Sequence, residues 1–229
     1  MTPKLKIDFV SDVSCPWCVI GLKALDAALE QTRTELHAEL HFQPFELNPD
    51  MAAEGEEITA HITKKYGITA AQADANRENI RKRGADLGFK FSRPDEPGGG
   101  RHHVWNTFDA HRLLHWAGEV GPAQQRALKE ALFTAYFTDG KSPAAHAVLL
   151  AAAQAAGLDS KRANEILSGD AYTDDVRERE QFYLTQGIHS VPAVVINDRH
   201  LISGGQPPEV FANALRQIAA EMAAAAGAP

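Results

Sequence analysis

The 229 residues carry 23 Lys and Arg against 30 Asp and Glu, a formal charge of −7 with a pI near 5.8. That balance speaks against nucleic acid or an anionic membrane surface as the main partner. Hydrophobic residues make up 44% and charged residues 23%, an ordinary globular composition long enough for one large domain or two smaller ones. No apolar run reaches the roughly 18–20 residues that span a bilayer. The N-terminal stretch also lacks the apolar core, roughly 7–15 residues long, of a secretory leader. The expected location is the cytoplasm.

In chain order, "LKIDFVSD" (5–12) has Leu5, Ile7 and Phe9 at period two, the signature of a strand. It runs into "CPWC", which holds both cysteines of the chain, Cys15 and Cys18. Two randomly placed cysteines would fall at this spacing on the order of one time in a hundred. After them Val19, Leu22, Leu25 and Leu29 fall at helical spacing, and Pro16 suits a first helical turn whose N–H has no intrahelical partner. "AELHFQPFELNP" (38–49) alternates again and predicts a second strand. The unit is β-α-β with the dithiol at its first turn.

Residues 51–172 read as helical, in the segments "EEITAHITKKYG", "AAQADANRENIRKRGADLG", "VWNTFDAHRLLHWAG", "AQQRALKEALFTAYFTDG" and "PAAHAVLLAAAQAAG". Gly, Pro and Asp punctuate their ends. "PDEPGGGR" (94–101) reads as a flexible loop, without the strand and Lys-Ser/Thr pair of a phosphate cradle. The strand signal returns in "VPAVVIND" (191–198) and "HLISGG" (200–205), joined by a tight turn around residues 197–199. A helix, "PPEVFANALRQIAAEMAAAA", follows. The flanks predict a small mixed sheet with helices on its faces, and the middle is an insertion within it.

Three chemistries compete for the dithiol. A structural zinc needs four ligands, and one C-x-x-C supplies two. The histidines that would complete it are scattered, apart from His102 and His103, which are adjacent and would point about 100° apart on a helix. No metal is therefore expected. A structural disulfide is a poor fit to a reducing compartment. The redox reading has a positive mechanism. A cysteine at a helix N-terminus faces unpaired N–H groups and the positive end of the helix dipole, which stabilise its thiolate. Cys15 is then the attacking thiol and Cys18 the resolving one, with Pro16 and Trp17 shaping the surface that a substrate meets.

The second half of the site is expected at "HSVPAVVI". A proline at the mouth of an apolar strand is unusual, because it cannot donate to the ladder. A cis Val191–Pro192 bond would explain it, placing Pro192 beside the cysteines and leaving the Val191 backbone to bind an extended peptide. Asn106 and His111 are placed on faces of one helix, among apolar neighbours, as candidates to line the cleft. Asp8 and Asp12, at the end of the first strand, are candidates for a proton relay to Cys18, with a solvated strand end as the plainer reading. Phe133, Tyr136 and Phe137 read as core, at most an apolar wall beside Trp17.

With these residues in place, the chain resembles the DsbA-like branch of the thioredoxin fold: strand, "CPWC", helix, strand, helical insertion, "SVPAVVI", strand pair and helix. Within it, "PFELNPDM", "NTFDAHRLLHWA", "LFTAYFTDG" and "SGGQPPEVF" resemble the FrnE subgroup of cytoplasmic oxidoreductases. The resemblance implies an α/β thioredoxin fold with a large all-helical insertion capping the active-site face. Residues 1–50 and 173–229 form the thioredoxin-like parts, and 51–172 the insertion. It implies Cys15 and Cys18 as the redox pair and Pro192 as the cis-proline. The function expected is a thiol–disulfide oxidoreductase or disulfide isomerase acting on protein or small-molecule disulfides. It would need no cofactor beyond glutathione as a thiol co-substrate. The alternative is a glutathione-dependent enzyme of the kappa-class transferase or 2-hydroxychromene-2-carboxylate isomerase type. Those enzymes resemble the chain in outline but typically carry serine where Cys15 stands. A non-catalytic rival is a binding module or chaperone that retains only the fold.

Overall fold

A computed structural model describes residues 2–93, 96 and 102–226. Strand β1 (Lys4–Ser11) alternates at its start and is then buried on both faces. It occupies an interior position of a four-stranded sheet ordered β2-β1-β5-β6. β2 (His37–Pro44) runs parallel to it, with Phe9 opposite Phe42. A parallel pair needs a crossover, and helix α1 (Pro16–Thr32) supplies it. β5 (Ala193–Ile196) pairs antiparallel on the other side of β1, with Phe9 opposite Val194. β6 (His200–Ser203) closes the order as an edge strand. The hairpin between them turns at Asn197 and Asp198, both at positive φ (52° and 56°), the conformation a two-residue hairpin loop prefers. Helix α9 (Pro208–Ala226) packs on α1.

Strand β2 ends at Pro44 rather than continuing to residue 49, because proline has no N–H for the ladder. Its outer edge is covered by a side chain. Gln125 Oε1 accepts from the Phe42 N–H at 2.9 Å, and Gln125 Nε2 donates to the Phe42 carbonyl at 3.0 Å. Both backbone groups of an edge residue are thereby satisfied, which blunts the edge against pairing with another chain.

The block between β2 and β5 contains α2 (Ile58–Tyr66), α3 (Ala70–Asp86), α4 (Phe108–Val120), α5 (Pro122–Phe133), α6 (His146–Ala155), α7 (Ser160–Ser168) and α8 (Thr173–Thr185). It also holds a short two-stranded ladder, β3 (Glu56–Glu57) with β4 (His103–Val104), which the sequence pattern does not reveal. Helix α4 begins at Phe108, four residues later than the periodicity of "VWNTFDAH" suggests, because Val104 is spent on β4. α5 runs into a π-helical turn, Thr134–Thr138, within "LFTAYFTDG". The expected loop 94–101 lies outside the described residues except for Glu96. Among the described residues no helix is long and apolar enough to cross a membrane.

One buried cluster joins the sheet, α1, α9 and the π-helical turn. It contains Phe9, Phe42, Phe133, Tyr136, Phe137, Phe211 and both cysteines. A second fills the space between α4, α5, α6 and α7, around Leu113, Leu128, Leu149 and Ile166. The dithiol sits at the inner wall of the first.

Candidate active site

Cys15 is the N-cap residue of α1, in extended conformation (φ −90°, ψ 114°), with Pro16 in the first turn. Its N–H donates to the Asp12 carbonyl at 3.2 Å, and its own carbonyl accepts from the Cys18 N–H at 3.1 Å. The strand end and helix start thus fix the first sulfur over the open helix N-terminus. Cys15 is 3% exposed and Cys18 fully buried one turn deeper. Both are free thiols. The Cys18 thiol, with the backbone N–H groups of Cys18 and Trp17, points hydrogens at the Cys15 sulfur and holds its pKa below the ordinary thiol value against the opposing cost of burial. Cys18 goes the other way, pushed well above that value by burial and by its neighbour. One thiol is prepared to ionise and the other to keep its proton.

The β5 entrance closes on this pair. The Val191–Pro192 bond is cis, and the Cys15 thiol donates to the Val191 carbonyl at 3.7 Å. A Cβ added to Gly21 would stand 2.9 Å from Pro192 Cγ and 3.4 Å from Gly205 Cα, so only glycine lets α1 approach the Pro192 loop this closely. The Gly204 N–H donates to the Pro192 carbonyl at 2.8 Å, which ties the start of "SGGQPPE" to the same place. Cys15, Cys18, Val191 and Pro192, 173 or more residues apart in sequence across the two halves, are brought together.

The other candidates divide. His111, on α4, is buried with its Nε2 3.7 Å from Asp12 Oδ1, longer than a hydrogen bond. Asn106 is not on a helix face. It precedes the N-cap Thr107, its Oδ1 accepts from the Phe108 N–H at 2.8 Å, and its Nδ2 reaches the Pro49 carbonyl at 3.5 Å. Its polarity serves the entry of α4. Asp8 and Asp12 are each 1% exposed, which corrects the solvated strand end, because helices cover both faces of β1. Asp8 accepts from Gln43 Nε2 at 2.6 Å and pairs with Lys6. Asp12 accepts from the N–H groups of Ser14 and Leu47 at 3.0 and 2.7 Å. Burial pushes Asp12 up, but the His111 imidazole and the two backbone donors outweigh it and hold the carboxyl below its usual value. Phe133, Tyr136 and Phe137 are core, packed in the same cluster as the cysteines, with Trp17 against it.

Three cations around the dithiol escaped the sequence reading. The Arg83 guanidinium, at the end of α3, lies 5.1 Å from the Trp17 ring centroid. Lys65 Nζ donates to the Leu47 carbonyl and Asn48 Oδ1 at 2.7 and 2.6 Å, and feels the charges of Asp12 and Cys15. Lys129 is fully buried beside Phe42 and Phe133. Only Lys129 had a usable signal, as a lysine in the apolar stripe Leu128, Leu132, Phe133. Among the described residues no group of three or more His, Cys, Asp or Glu is placed to hold a metal ion.

A free dithiol at a helix N-terminus, closed by a cis-proline loop on a β-α-β/β-β-α frame, defines the class as a thioredoxin-fold protein. The model of the DSBA-like thioredoxin domain family matches residues 6–216. The chain belongs to that family. It is 33% identical to a probable DsbA oxidoreductase of Streptomyces coelicolor, over 93% of this chain and 89% of that one, with a TM-score of 0.84. A 2-hydroxychromene-2-carboxylate isomerase shares the fold at 12% identity, over 95% of this chain and 98% of that one, with a TM-score of 0.67. The cytosolic disulfide reductase DsbM of Pseudomonas aeruginosa, solved with GSH, shares it at 16% identity, over 93% and 98%, with a TM-score of 0.60.

Proposed function

We propose that the chain is a thiol–disulfide oxidoreductase that works through Cys15 and Cys18. The carrying observation is the opposite tuning of the two thiols, Cys15 lowered at the helix N-cap and Cys18 raised one turn deeper. In this reading the Cys15 thiolate attacks a substrate disulfide and releases one thiolate. Cys18 then loses its proton and attacks Cys15 Sγ, freeing the second. Two electrons pass to the substrate and the Cys15–Cys18 disulfide forms; the reverse sequence oxidises a dithiol. Val191, Pro192, Pro16 and Trp17 form the substrate groove, and Asn106 supports it through the loop at Pro49. His111 acts behind the dithiol, on Asp12, rather than on the substrate. Protein and small-molecule disulfides are the substrates, glutathione is the thiol co-substrate, and the exchange requires no metal or bound organic cofactor.

In this reading the chain is of the FrnE-like subgroup, which its FrnE-like motifs support, with residues 51–172 as the inserted unit between the two thioredoxin-like parts. A cytoplasmic setting accords with the fold shared with a cytosolic disulfide reductase. Retention of a cysteine at position 15 favours exchange over the isomerase chemistry of the other neighbour. Insulin reduction measured beside glutathione conjugation decides between them. Wild-type protein is expected to accelerate insulin reduction, and Cys15→Ser to abolish it. No acceleration, together with conjugation that survives Cys15→Ser, overturns the reading.

A further inference from the structure

Lys129 is a lysine where the fold asks for an apolar residue. It lies on the inward stripe of α5 with Gln125, Leu128, Leu132 and Phe133, and is 0% exposed. Among the described residues its Nζ has no hydrogen-bond partner. It stands 5.0 Å from the Phe133 ring centroid and 5.9 Å from that of Phe42, rings of the cluster that contains both cysteines. Aromatic faces attract a cation but do not replace its lost hydration, so an unpaired ammonium here is costly to the fold. The charge that most favours it is that of Cys18, followed by Asp12 and Cys15. Reciprocally, Lys129 eases the ionisation of Cys18 against its burial. The same side chain lines a cleft of about 200 Å³ between β2, α4, α5 and α8, a volume sufficient for several water molecules at about 30 Å³ each.

We infer that Lys129 is the base that takes the proton from Cys18 when Cys18 resolves a mixed disulfide on Cys15, and that the cleft carries this proton to solvent. The inference rests on the redox reading above. The neutral amine, whose Nζ is not hydrogen-bonded to the Cys18 sulfur, takes the Cys18 proton across one bridging water and becomes ammonium. The Cys18 thiolate attacks Cys15 Sγ, the Cys15–substrate S–S bond breaks, and the substrate leaves as thiolate. The ammonium then returns its proton through the cleft to solvent.

Burial pushes the Lys129 ammonium down to about 8, so its amine form is accessible near neutral pH. The other groups nearby are less suited. Asp12 is held below its usual range and stays ionised as a weak base. The His111 Nε2 is turned toward Asp12. His41 from β2, His115 and Glu119 from α4, and Arg179 from α8 line the cleft and mark its route outward. From the remaining elements packed on α5, Tyr136 donates to the His103 carbonyl and His146 pairs with Asp109.

The test uses the full-length reduced protein and the chromogenic disulfide DTNB in stopped flow. The first thionitrobenzoate released reports Cys15 attack, and the second reports Cys18 resolution. In wild type the second phase is expected to quicken as pH rises through about 8. Lys129→Met should keep the first phase, slow the second by at least about tenfold at neutral pH, and move its pH midpoint upward. Because the variant removes an unpaired buried charge, its melting temperature should equal or exceed that of wild type. Lys129→Gln serves as a second variant should Lys129→Met not fold. A second phase that is flat with pH in wild type, or unchanged in rate and pH profile in a folded variant, overturns the inference. No second phase in wild type overturns the redox reading itself.

Discussion

The Cys15 sulfur and the Val191 carbonyl face one another at 3.7 Å, across a chain separation of 176 residues. The more nucleophilic thiol therefore opens onto the loop that closes the groove, while Cys18 has the core behind it. In the reduced protein, iodoacetamide near neutral pH is expected to modify Cys15 first and Cys18 only slowly. The Cys15 reaction should persist at pH values where an ordinary thiol is protonated, because its thiolate is stabilised. Peptide mapping by mass spectrometry reads both rates. Equal labelling, or faster labelling of Cys18, contradicts the assignment of roles.

The contact between Gly21 and Pro192 gives a second prediction. In a helix interior, glycine to alanine is ordinarily stabilising by about 1 kcal/mol. Here the new methyl would lie 2.9 Å from a proline ring atom, with Gly205 Cα at 3.4 Å behind it, and neither neighbour is the end of a flexible chain. Gly21→Ala should therefore destabilise, by about 1–3 kcal/mol, and slow disulfide exchange by separating the dithiol helix from the Pro192 loop. Denaturant unfolding and insulin reduction measure the two effects; a variant as stable and active as wild type would show that the loop yields freely.

Much of this arrangement is legible in the sequence because local rules and tertiary demands agree there. The period-two run of β1, the proline in the first turn of α1 and the paired signal at 191–205 each satisfy propensity and packing together. Legibility fails where a distant partner decides. Asn106 looks helical by periodicity, but β4 takes Val104 into a ladder with Glu56 and delays the helix. Asp8 and Asp12 look like a wet strand end until the helices laid over β1 bury them. Arg83 and Lys65 occupy ordinary exposed-helix positions, and only the folding of α2 and α3 over the dithiol brings them to it. Lys129 lies between these cases, its oddity visible in an apolar stripe and its purpose invisible without Cys18.

Asp12 makes stability depend on pH in a defined direction. Its folded pKa lies below the ordinary carboxylate value of 3.8, so the stability it contributes is fully present above that value and is lost as pH falls through the folded pKa. Asp12→Asn leaves an amide N–H facing the Ser14 or Leu47 donor, and should cost about 2–4 kcal/mol at neutral pH. The gap from wild type should close progressively in strong acid. Urea titrations of both proteins across pH check this, and a gap independent of pH would mean that the carboxylate charge carries none of the effect.

Gln125 offers a test of the fold apart from the dithiol. Its amide satisfies both backbone groups of Phe42 and also donates to the Leu114 carbonyl at 3.1 Å. Gln125→Ala should strand these groups beside a cavity and cost about 2–4 kcal/mol. Hydrogen exchange at the Phe42 amide should quicken more than at Phe9, its neighbour on β1. Uniform loss of protection along β2 and β1 would instead indicate global destabilisation without a local edge role.

Trp17 sets the expected redox poise. An indole donates a hydrogen bond but carries no charge, so Cys15 lacks the cationic neighbour that a histidine between the cysteines would provide. The couple is expected between thioredoxin, about −270 mV, and DsbA, about −120 mV. Trp17→His should lower the Cys15 pKa further and stabilise the reduced form, which makes the protein more oxidising. Each unit of that shift is about 1.4 kcal/mol, or about 30 mV for a two-electron couple. Arg83 opposes the change, since its guanidinium 5.1 Å from the Trp17 ring would repel an imidazolium. Adding Arg83→Gln to Trp17→His should then raise the potential beyond the single variant. Equilibration against glutathione, read by mass after trapping the free thiols, gives all three potentials. A Trp17→His potential at or below that of wild type would remove this side chain from control of the couple.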